Sequence, residues 1–256
     1  MLFLLNTTKT MNLSASVPSD VKATEPCQLE FARLLADKIA KMSCYQLKER
    51  MSLSDKLASE TRDNAALWGM DHRLKIPALF GFTGLFYKNL DAVNFDAAQR
   101  QDAQKRIRIL SGLYGLLRPF DLIEAYRLEM AQKLVVGKAR NLAVFWKDTL
   151  TAKLNKDLNI GEPIISVAAQ EYMKALDIKK LNGPVISPVF KEQHFDGTLK
   201  NVVVHSKKAR GALVRYALVN KAQNPRDLMR FNAMGWKAAE ELPEAGPWLF
   251  TRPVTS

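Results

Sequence analysis

Residues 110–130 read Leu-Ser-Gly-Leu-Tyr-Gly-Leu-Leu-Arg-Pro-Phe-Asp-Leu-Ile-Glu-Ala-Tyr-Arg-Leu-Glu-Met, and they carry the strongest structural signal of the chain. Gly112 and Gly115 follow a basic helix that we predict over residues 99–109. Glycine lets a backbone turn tightly and approach a ligand closely, because no Cβ blocks the way. Exposed amides at such a turn, beside arginines such as Arg118, can hold a phosphate. The stretch therefore predicts a helix-hairpin-helix-like element.

A tight turn between two packed elements is the alternative interpretation of this glycine hairpin. Its Gly-x-x-Gly spacing differs from the usual Gly-x-Gly of helix-hairpin-helix DNA-binding modules. A bulky side chain at Gly115 should block binding if the hairpin contacts phosphate, and should strain the turn if the hairpin only joins elements. The sequence leaves both interpretations open.

Charge is the second major signal. The chain has 38 Lys and Arg residues against 26 Asp and Glu residues, for a net charge of +12. Such an excess favours polyanionic partners, namely nucleic acid, nucleotide phosphates or an acidic membrane surface. The cations are spread over segments that are predicted to fold, so the charge does not form a loose basic tail.

Length and composition are typical of a soluble globular protein, with 256 residues, 47% hydrophobic and 25% charged. We predict a single domain over residues 1–256. No apolar run approaches the roughly 20 residues of a membrane helix, and residues 1–5 read as a buried first strand, not as a signal peptide. Cys27 and Cys44 cannot build a disulfide framework. We therefore expect a cytoplasmic protein without membrane partners.

Strand and helix signals alternate along the chain, which predicts an α/β (mixed α+β) fold with a mixed sheet flanked by helices. The clearest hairpin turns at Asp196-Gly197. The predicted strands cover residues 2–6, 163–168, 185–195 and 199–205, with a strand or buried turn at 76–82. The predicted helices cover residues 26–42, 54–67, 99–109, 141–158 and 206–221, with another starting near Gln170.

The run Lys207-Lys208-Ala209-Arg210-Gly211 is predicted to lie where a strand gives way to a helix. Amides at a helix N-terminus favour anions, and cations beside them strengthen that preference. Without an anion, cations at that end of a helix are unfavourable. The run therefore indicates phosphate contact.

Catalytic and metal motifs are weak. The sequence contains no Gly-x-Ser-x-Gly elbow, phosphate loop or dinucleotide fingerprint. His72, His194 and His205 show no ligand spacing with the two cysteines, so we expect no metal and no cofactor. Glu171 and Tyr172 follow a predicted strand and could form an acid–base cluster, although a buried tyrosine and a surface carboxylate explain them equally well. Whether the protein is an enzyme stays open, and a non-enzymatic role is favoured.

The stretch 110–130 closely resembles the signature of the YaaA peroxide-stress family. Order and spacing agree along residues 1–250, and the further matching segments are 54–58, 145–146, 171–174, 188–190, 207–211 and 231–235. The resemblance implies a cytoplasmic DNA-binding protein with a mixed α/β fold, a helix-hairpin-helix element and a positively charged cleft. It also implies a role in limiting oxidative DNA damage and free iron under peroxide stress.

Several family motifs are changed in this chain, while the glycine hairpin and the 207–211 run are intact. The changed segments are 83–89, 125–131, 168–172 and 6–10, of which the last keeps only Lys9 and Thr10 of the family's Ser-Pro-Ala-Lys-Thr. The losses remove polar residues from strand-end motifs. We infer a divergent member in which pocket chemistry is in doubt and a basic anion-binding surface is not.

Two functional hypotheses follow. The first is a DNA-binding protein of the peroxide-stress response that contacts the phosphates of double-stranded DNA with little sequence preference, through Lys9, Ser111, Gly112, Tyr114, Gly115, Arg118, Arg127, Lys207, Lys208 and Arg210. The alternative is an enzyme or binder of a nucleotide or another small anionic metabolite, with a pocket built from Lys9, Thr10, Arg127, Glu171, Tyr172 and Lys208. A deep cleft where the second set converges would favour the alternative. A scaffold with acidic protein partners is a third possibility.

Overall fold

A computed structural model describes residues 1–254 and contains ten strands within that range. The strands are β1 (Leu2–Asn6), β2 (Ile76–Pro77), β3 (Ile107–Ser111), β4 (Gly115–Leu117), β5 (Leu122–Ile123), β6 (Ile164–Ser166), β7 (Val185–Gln193), β8 (Leu199–Lys200), β9 (Lys237–Ala238) and β10 (Gly246–Pro253). Eight of them form one mixed sheet, and β2 pairs with β5 in a separate small sheet.

Helices flank this sheet. They are α1 (Leu29–Ala40), α2 (Cys44–Met51), α3 (Asp55–Ala66), α4 (Ala78–Gly81), α5 (Leu85–Leu90), α6 (Ala97–Arg106), α7 (Leu142–Asp157), α8 (Gln170–Met173) and α9 (Val203–Val219). The side chains of Ser54 and Asn141 accept hydrogen bonds from the first turns of α3 and α7. These caps explain why the two helices begin directly after Ser54 and Asn141, the first residues of the predicted helices 54–67 and 141–158.

The main sheet runs in the order β4-β3-β1-β6-β7-β10-β9, with β8 paired to β7. Strands β3, β1, β6, β7 and β10 are parallel neighbours, while β4 and β9 pair antiparallel at the two ends of this path. When these five parallel strands are numbered by their order along the chain, they lie in the order 2-1-3-4-5 across the sheet. In this doubly wound order the chain changes direction between β1 and β6, and the carboxyl ends of those two strands open a crevice.

The sequence explains why β1 lies in the middle of the sheet. Its residues Leu2 to Leu5 are at most 2% exposed, because a strand with helices on both faces needs an almost continuous apolar run. The predicted α/β fold with a mixed sheet is confirmed. The predicted hairpin at Asp196-Gly197 is also present, as β7 pairs antiparallel with β8.

The glycine hairpin has a different structure from the one predicted. Helix α6 ends at Arg106, and residues 107–111 form β3, whose side chains are buried. Gly115 begins β4, which pairs antiparallel with β3. The element is thus a helix followed by a β-hairpin, and no second helix follows the glycines directly.

The 207–211 run also lies elsewhere than predicted. Strand β8 contains only two residues, and α9 already begins at Val203, so Lys207 falls in the second turn of the helix. The backbone amides of the run are therefore past the helix start, where free amides would be available to an anion. Any anion contact here depends on the side chains.

Candidate functional site

A cleft of about 320 Å³ opens at the carboxyl ends of β1 and β6. The end of β1, the start of α5, the segment after β6 and one face of α9 form its walls. Its lining residues are Asn6, Thr7, Thr8, Lys9, Thr10, Gly84, Leu85, Phe86, Glu129, Val167, Ala169, Glu171, Tyr172, Lys207 and Arg210. The cleft thus occupies the position where doubly wound sheets bind ligands.

Hydrogen bonds fix the floor of the cleft. Asn6 Oδ1 accepts a hydrogen bond from the Ala169 amide at 2.8 Å, which ties β1 to the segment after β6. Tyr87 donates its hydroxyl to the Asn6 carbonyl at 3.1 Å, and the hydroxyls of Thr7 and Tyr172 lie 3.1 Å apart. These contacts hold the backbone at the end of β1 in place.

Burial keeps the tyrosines around this floor protonated. It raises the pKa of Tyr172 to about 12, with further upward contributions from the carboxylates of Glu129 and Glu171. Burial also raises the pKa of Tyr87 and Tyr126 well above the ordinary tyrosine value. At neutral pH these phenols are therefore hydrogen-bonding groups without charge.

Arg210 is the buried cation of the cleft. Its Nε is fully buried and has no hydrogen-bond partner among residues 1–254. Burial lowers the pKa of the guanidinium, and nearby Glu171 opposes that shift. Lys207 is exposed beside it, and Lys9 Nζ lies 3.4 Å from Glu129 Oε1. Three cations and two carboxylates thus face one volume.

The residues of the glycine hairpin are inside the protein. Ser111 and Tyr114 are at most 1% exposed. The amides of Leu113 and Tyr114 donate to Ser111 Oγ, and the Leu116 amide donates to Gln28 Oε1 at 2.8 Å. The exposed amides that a phosphate would need are therefore already paired within the fold.

Close packing explains both glycines. A Cβ on Gly112 would collide with the Leu128 carbonyl, and one on Gly115 would meet Gln28 and come within 2.8 Å of the Trp146 ring. Gly115 also has φ +73°, which side chains other than glycine adopt at a cost. The hairpin is thus a turn packed between neighbouring elements, which agrees with the alternative interpretation of its sequence.

The arginines near the hairpin are paired with carboxylates. Arg118 binds Asp121, with Nη2 at 3.1 Å from Oδ1. The arginines of α6 and β3 are neutralised in the same way. The ion pairs are Arg100–Asp20, Arg106–Asp102 and Arg108–Asp157, at 2.7, 2.8 and 2.6 Å. Little of their charge remains available to a phosphate.

Most of the residues predicted for the small-ligand pocket lie together in the cleft. Lys9, Thr10, Glu171 and Tyr172 line the cleft, as the small-ligand hypothesis requires. Lys208 and Arg127 do not line it, and Arg127 borders a separate, very small cavity beside Trp68. The position of Lys207 and Arg210 in the cleft links the 207–211 run to this site instead.

Sequence reasoning missed Glu129 and Phe86. Glu129 lies in the Leu-Glu-Met of the 110–130 stretch, and Phe86 lies in one of the changed family motifs, so only their motif positions could have marked them. Among residues 1–254 no group of three or more His, Cys, Asp or Glu side chains is placed to hold a metal ion. Within the same range, no helix is both long and apolar enough to cross a membrane.

Comparison with known proteins shows the family of this chain. A family model described as peroxide stress protein YaaA matches residues 1–242. The chain belongs to this family. A UPF0246 protein of Flavobacterium johnsoniae is 39% identical over 254 residues, which cover 98% of this chain and all of the relative. UPF0246 proteins of Maricaulis maris and a Marinomonas species are 38% and 37% identical, covering 99% and 100% of this chain and 96% and 98% of theirs.

Proposed function

We propose that this member of the peroxide-stress family binds a small phosphorylated metabolite in the cleft between β1 and β6. The observation that carries the proposal is the buried, unpartnered Nε of Arg210. A buried donor without a partner costs about 1–3 kcal/mol, and a charged one costs more. A phosphate oxygen in the cleft would give this donor an acceptor.

The position and size of the cleft support this function. It lies at the direction change of the sheet, and its volume of about 320 Å³ falls in the range of small-molecule sites. Thr8, Thr10 and the Tyr172 phenol supply neutral hydrogen-bonding groups, and Lys207 adds a second cation next to Arg210. No catalytic step is assigned to these residues.

Thermal unfolding with added adenosine monophosphate or inorganic phosphate tests the proposal. A ligand at about 100 times its Kd adds about 2.7 kcal/mol of stability, which raises the Tm of a chain of this size by about 5–10 °C. Arg210→Gln should lose the shift, because the amide is neutral and shorter. The exposed Arg140 serves as the control site, and Arg140→Gln should keep the shift. A shift that persists in Arg210→Gln would contradict the proposal.

DNA binding is the second candidate, and the net charge of +12 favours it. In this proposal the phosphates of duplex DNA contact Lys207 and Lys208 on α9, while the buried glycine hairpin takes no part. The logarithm of affinity should fall linearly with the logarithm of salt concentration, by about 0.9 per neutralised phosphate. Fluorescence anisotropy with unrelated duplexes measures this slope, and binding that does not respond to salt would exclude the candidate.

Lys208 separates the two candidates because it lies on α9 but outside the cleft lining. Lys208→Gln should weaken duplex binding for all sequences and leave the thermal shift by adenosine monophosphate unchanged. Arg210→Gln should have the opposite profile. We keep the cytoplasm as the predicted location for both functions.

A further inference from the structure

We propose that the metabolite of this cleft carries an amino group as well as its phosphate, and that Glu129 and Glu171 bind the ammonium while Lys207 and Arg210 bind the phosphate. The inference rests on the proposed function, because it concerns the ligand of the same cleft. It narrows the ligand to the class of amino-bearing phosphate monoesters.

Both carboxylates lie close to one wall of the cleft. Tyr172, which is 4% exposed, presents its hydroxyl there and is fixed by Thr7 at 3.1 Å. Glu129 and Glu171 line the cleft with Tyr172, and each acts electrostatically on its hydroxyl. Two negative charges thus act on the buried Tyr172 in the same cleft that holds the unpartnered Arg210 Nε.

The two carboxylates differ in whether a cation of the protein neutralises their charge. Glu129 is paired with Lys9 at 3.4 Å. Glu171 has no ion-pair partner within 4 Å in the described part of the chain, although it acts on Arg210 from a greater distance. Glu171 is exposed, but a ligand with only negative charge would still be repelled by its carboxylate. An ammonium on the ligand removes that repulsion and supplies up to three hydrogen-bond donors.

A divalent cation is a poorer occupant of this subsite. Calcium takes six to eight oxygen ligands, several of them carboxylates, and magnesium needs a near-ideal octahedron. The cleft contributes two carboxylates, one of which Lys9 already binds. Among residues 1–254 no third acidic, His or Cys side chain completes a group. An organic ammonium requires only the acceptors that are present.

Isothermal titration with matched probes tests the inference. The probes are 2-aminoethyl, 3-aminopropyl and 4-aminobutyl phosphate, each compared with the alcohol in which a hydroxyl replaces the amine. The series covers a range of spacings between the two subsites. At least one amine should bind roughly tenfold more tightly than its alcohol, the size expected for a charge-assisted hydrogen bond. The amine probes have less net negative charge, so the overall +12 charge of the protein would favour the alcohols.

Glu171→Gln should abolish the preference for the amine and leave binding of the alcohol equal or tighter. Glu49 on α2 is exposed and lies outside the cleft lining, so Glu49→Gln should keep the full preference. If the alcohols bind and no amine binds more tightly, or if the preference survives in Glu171→Gln, the inference is wrong and the proposed function stands. If neither series binds while adenosine monophosphate or phosphate still raises the Tm, the inference is wrong and the proposed function stands. If none of these ligands binds, both fail.

Discussion

Arg210 is the residue at which stability and binding conflict. Its guanidinium is largely buried and its Nε has no partner among residues 1–254. We predict that Arg210→Met raises the free energy of unfolding of the ligand-free protein by about 1 kcal/mol, because a methionine fills the same space without a desolvated charge. Urea denaturation measures this change. A loss of stability would mean that Arg210 has a structural role.

Arg108 gives the matched comparison. Its Nε contacts Asp157 at 2.6 Å, and its Nη1 donates to backbone carbonyls including that of Ile107 at 2.8 Å. Arg108→Met should therefore lower the free energy of unfolding by about 3 kcal/mol, since it leaves a partly buried carboxylate unpaired. Both substitutions replace an arginine with methionine. Changes of opposite sign in the free energy of unfolding would therefore distinguish a ligand-binding arginine from a structural one.

Gly115 gives a second stability prediction at the scale of single residues. Its positive φ and its closeness to Gln28 and Trp146 leave no room for a side chain. Gly115→Val should lower the free energy of unfolding by more than about 3 kcal/mol, from backbone strain and overpacking combined. Thermal unfolding measures the loss. In the folded fraction, ligand and DNA affinity should stay unchanged, and a stable variant with weakened DNA binding would restore the phosphate-binding interpretation of the hairpin.

At the scale of elements, Glu192 joins three segments. Located on β7, it accepts hydrogen bonds from Arg252 on β10 at 2.6 and 2.9 Å, and it lies 2.7 Å from His205 Nδ1 on α9. The sequence predicted His205 to end a strand over residues 199–205, whereas α9 begins at Val203 and places His205 beside Glu192. Burial raises the pKa of Glu192, but the hydrogen bonds from Arg252 and His205 outweigh burial and hold it below its usual range.

This pairing has a predictable pH dependence. A carboxylate with a depressed folded-state pKa contributes stability above its unfolded pKa of about 4.3, and the contribution is lost as pH falls through the folded value. Glu192→Gln should lower stability by about 3 kcal/mol at neutral pH, because Arg252 loses a buried partner. The difference from wild type should shrink on acidification below about pH 4. Urea denaturation at several pH values measures the stability difference between wild type and Glu192→Gln. A difference that does not change with pH would contradict the lowered pKa of Glu192.

At the scale of the whole molecule, the sheet links distant parts of the chain. Strand β1 pairs with β3 and β6, and β10 pairs with β7 along eight residue pairs. We predict that residues 1–256 unfold as one cooperative unit, as expected for a single domain. Near-ultraviolet and far-ultraviolet circular dichroism should give the same midpoint, also in Phe250→Ala, whose side chain is buried. Two separated transitions would indicate two domains.

Local sequence signals predicted the fold well, and they marked some of the residues that line the cleft. The apolar run of β1, the starts of helices α3 and α7 and the Asp196-Gly197 turn each depend on a few neighbouring residues, so the sequence predicts them without tertiary information. Glu171 and Tyr172 were recognised as residues that follow a strand, which is where doubly wound sheets place ligands.

The features on which the prediction and the structure differ depend on tertiary contacts. The sequence around Gly112 and Gly115 is the same whether the neighbouring amides of Tyr114 and Leu116 face solvent or pair with Ser111 and Gln28. The charge of Arg118 could not be discounted until its partner Asp121 was known. In the same way, the place of Glu129 in the cleft follows from the path of an irregular segment, which has no periodic pattern.

The central position of β1 has a consequence for synthesis on the ribosome. During translation this strand leaves the exit tunnel long before its neighbours in the sheet, which begin near Ile107 and Ile164. Strand β1, with four consecutive apolar side chains from Leu2 to Leu5, therefore lacks at least one neighbouring strand while most of the chain is translated. Such long-range parallel pairing is slow and leaves strands prone to aggregation. A chaperone that covers β1 until β6 emerges would therefore protect the nascent chain from aggregation.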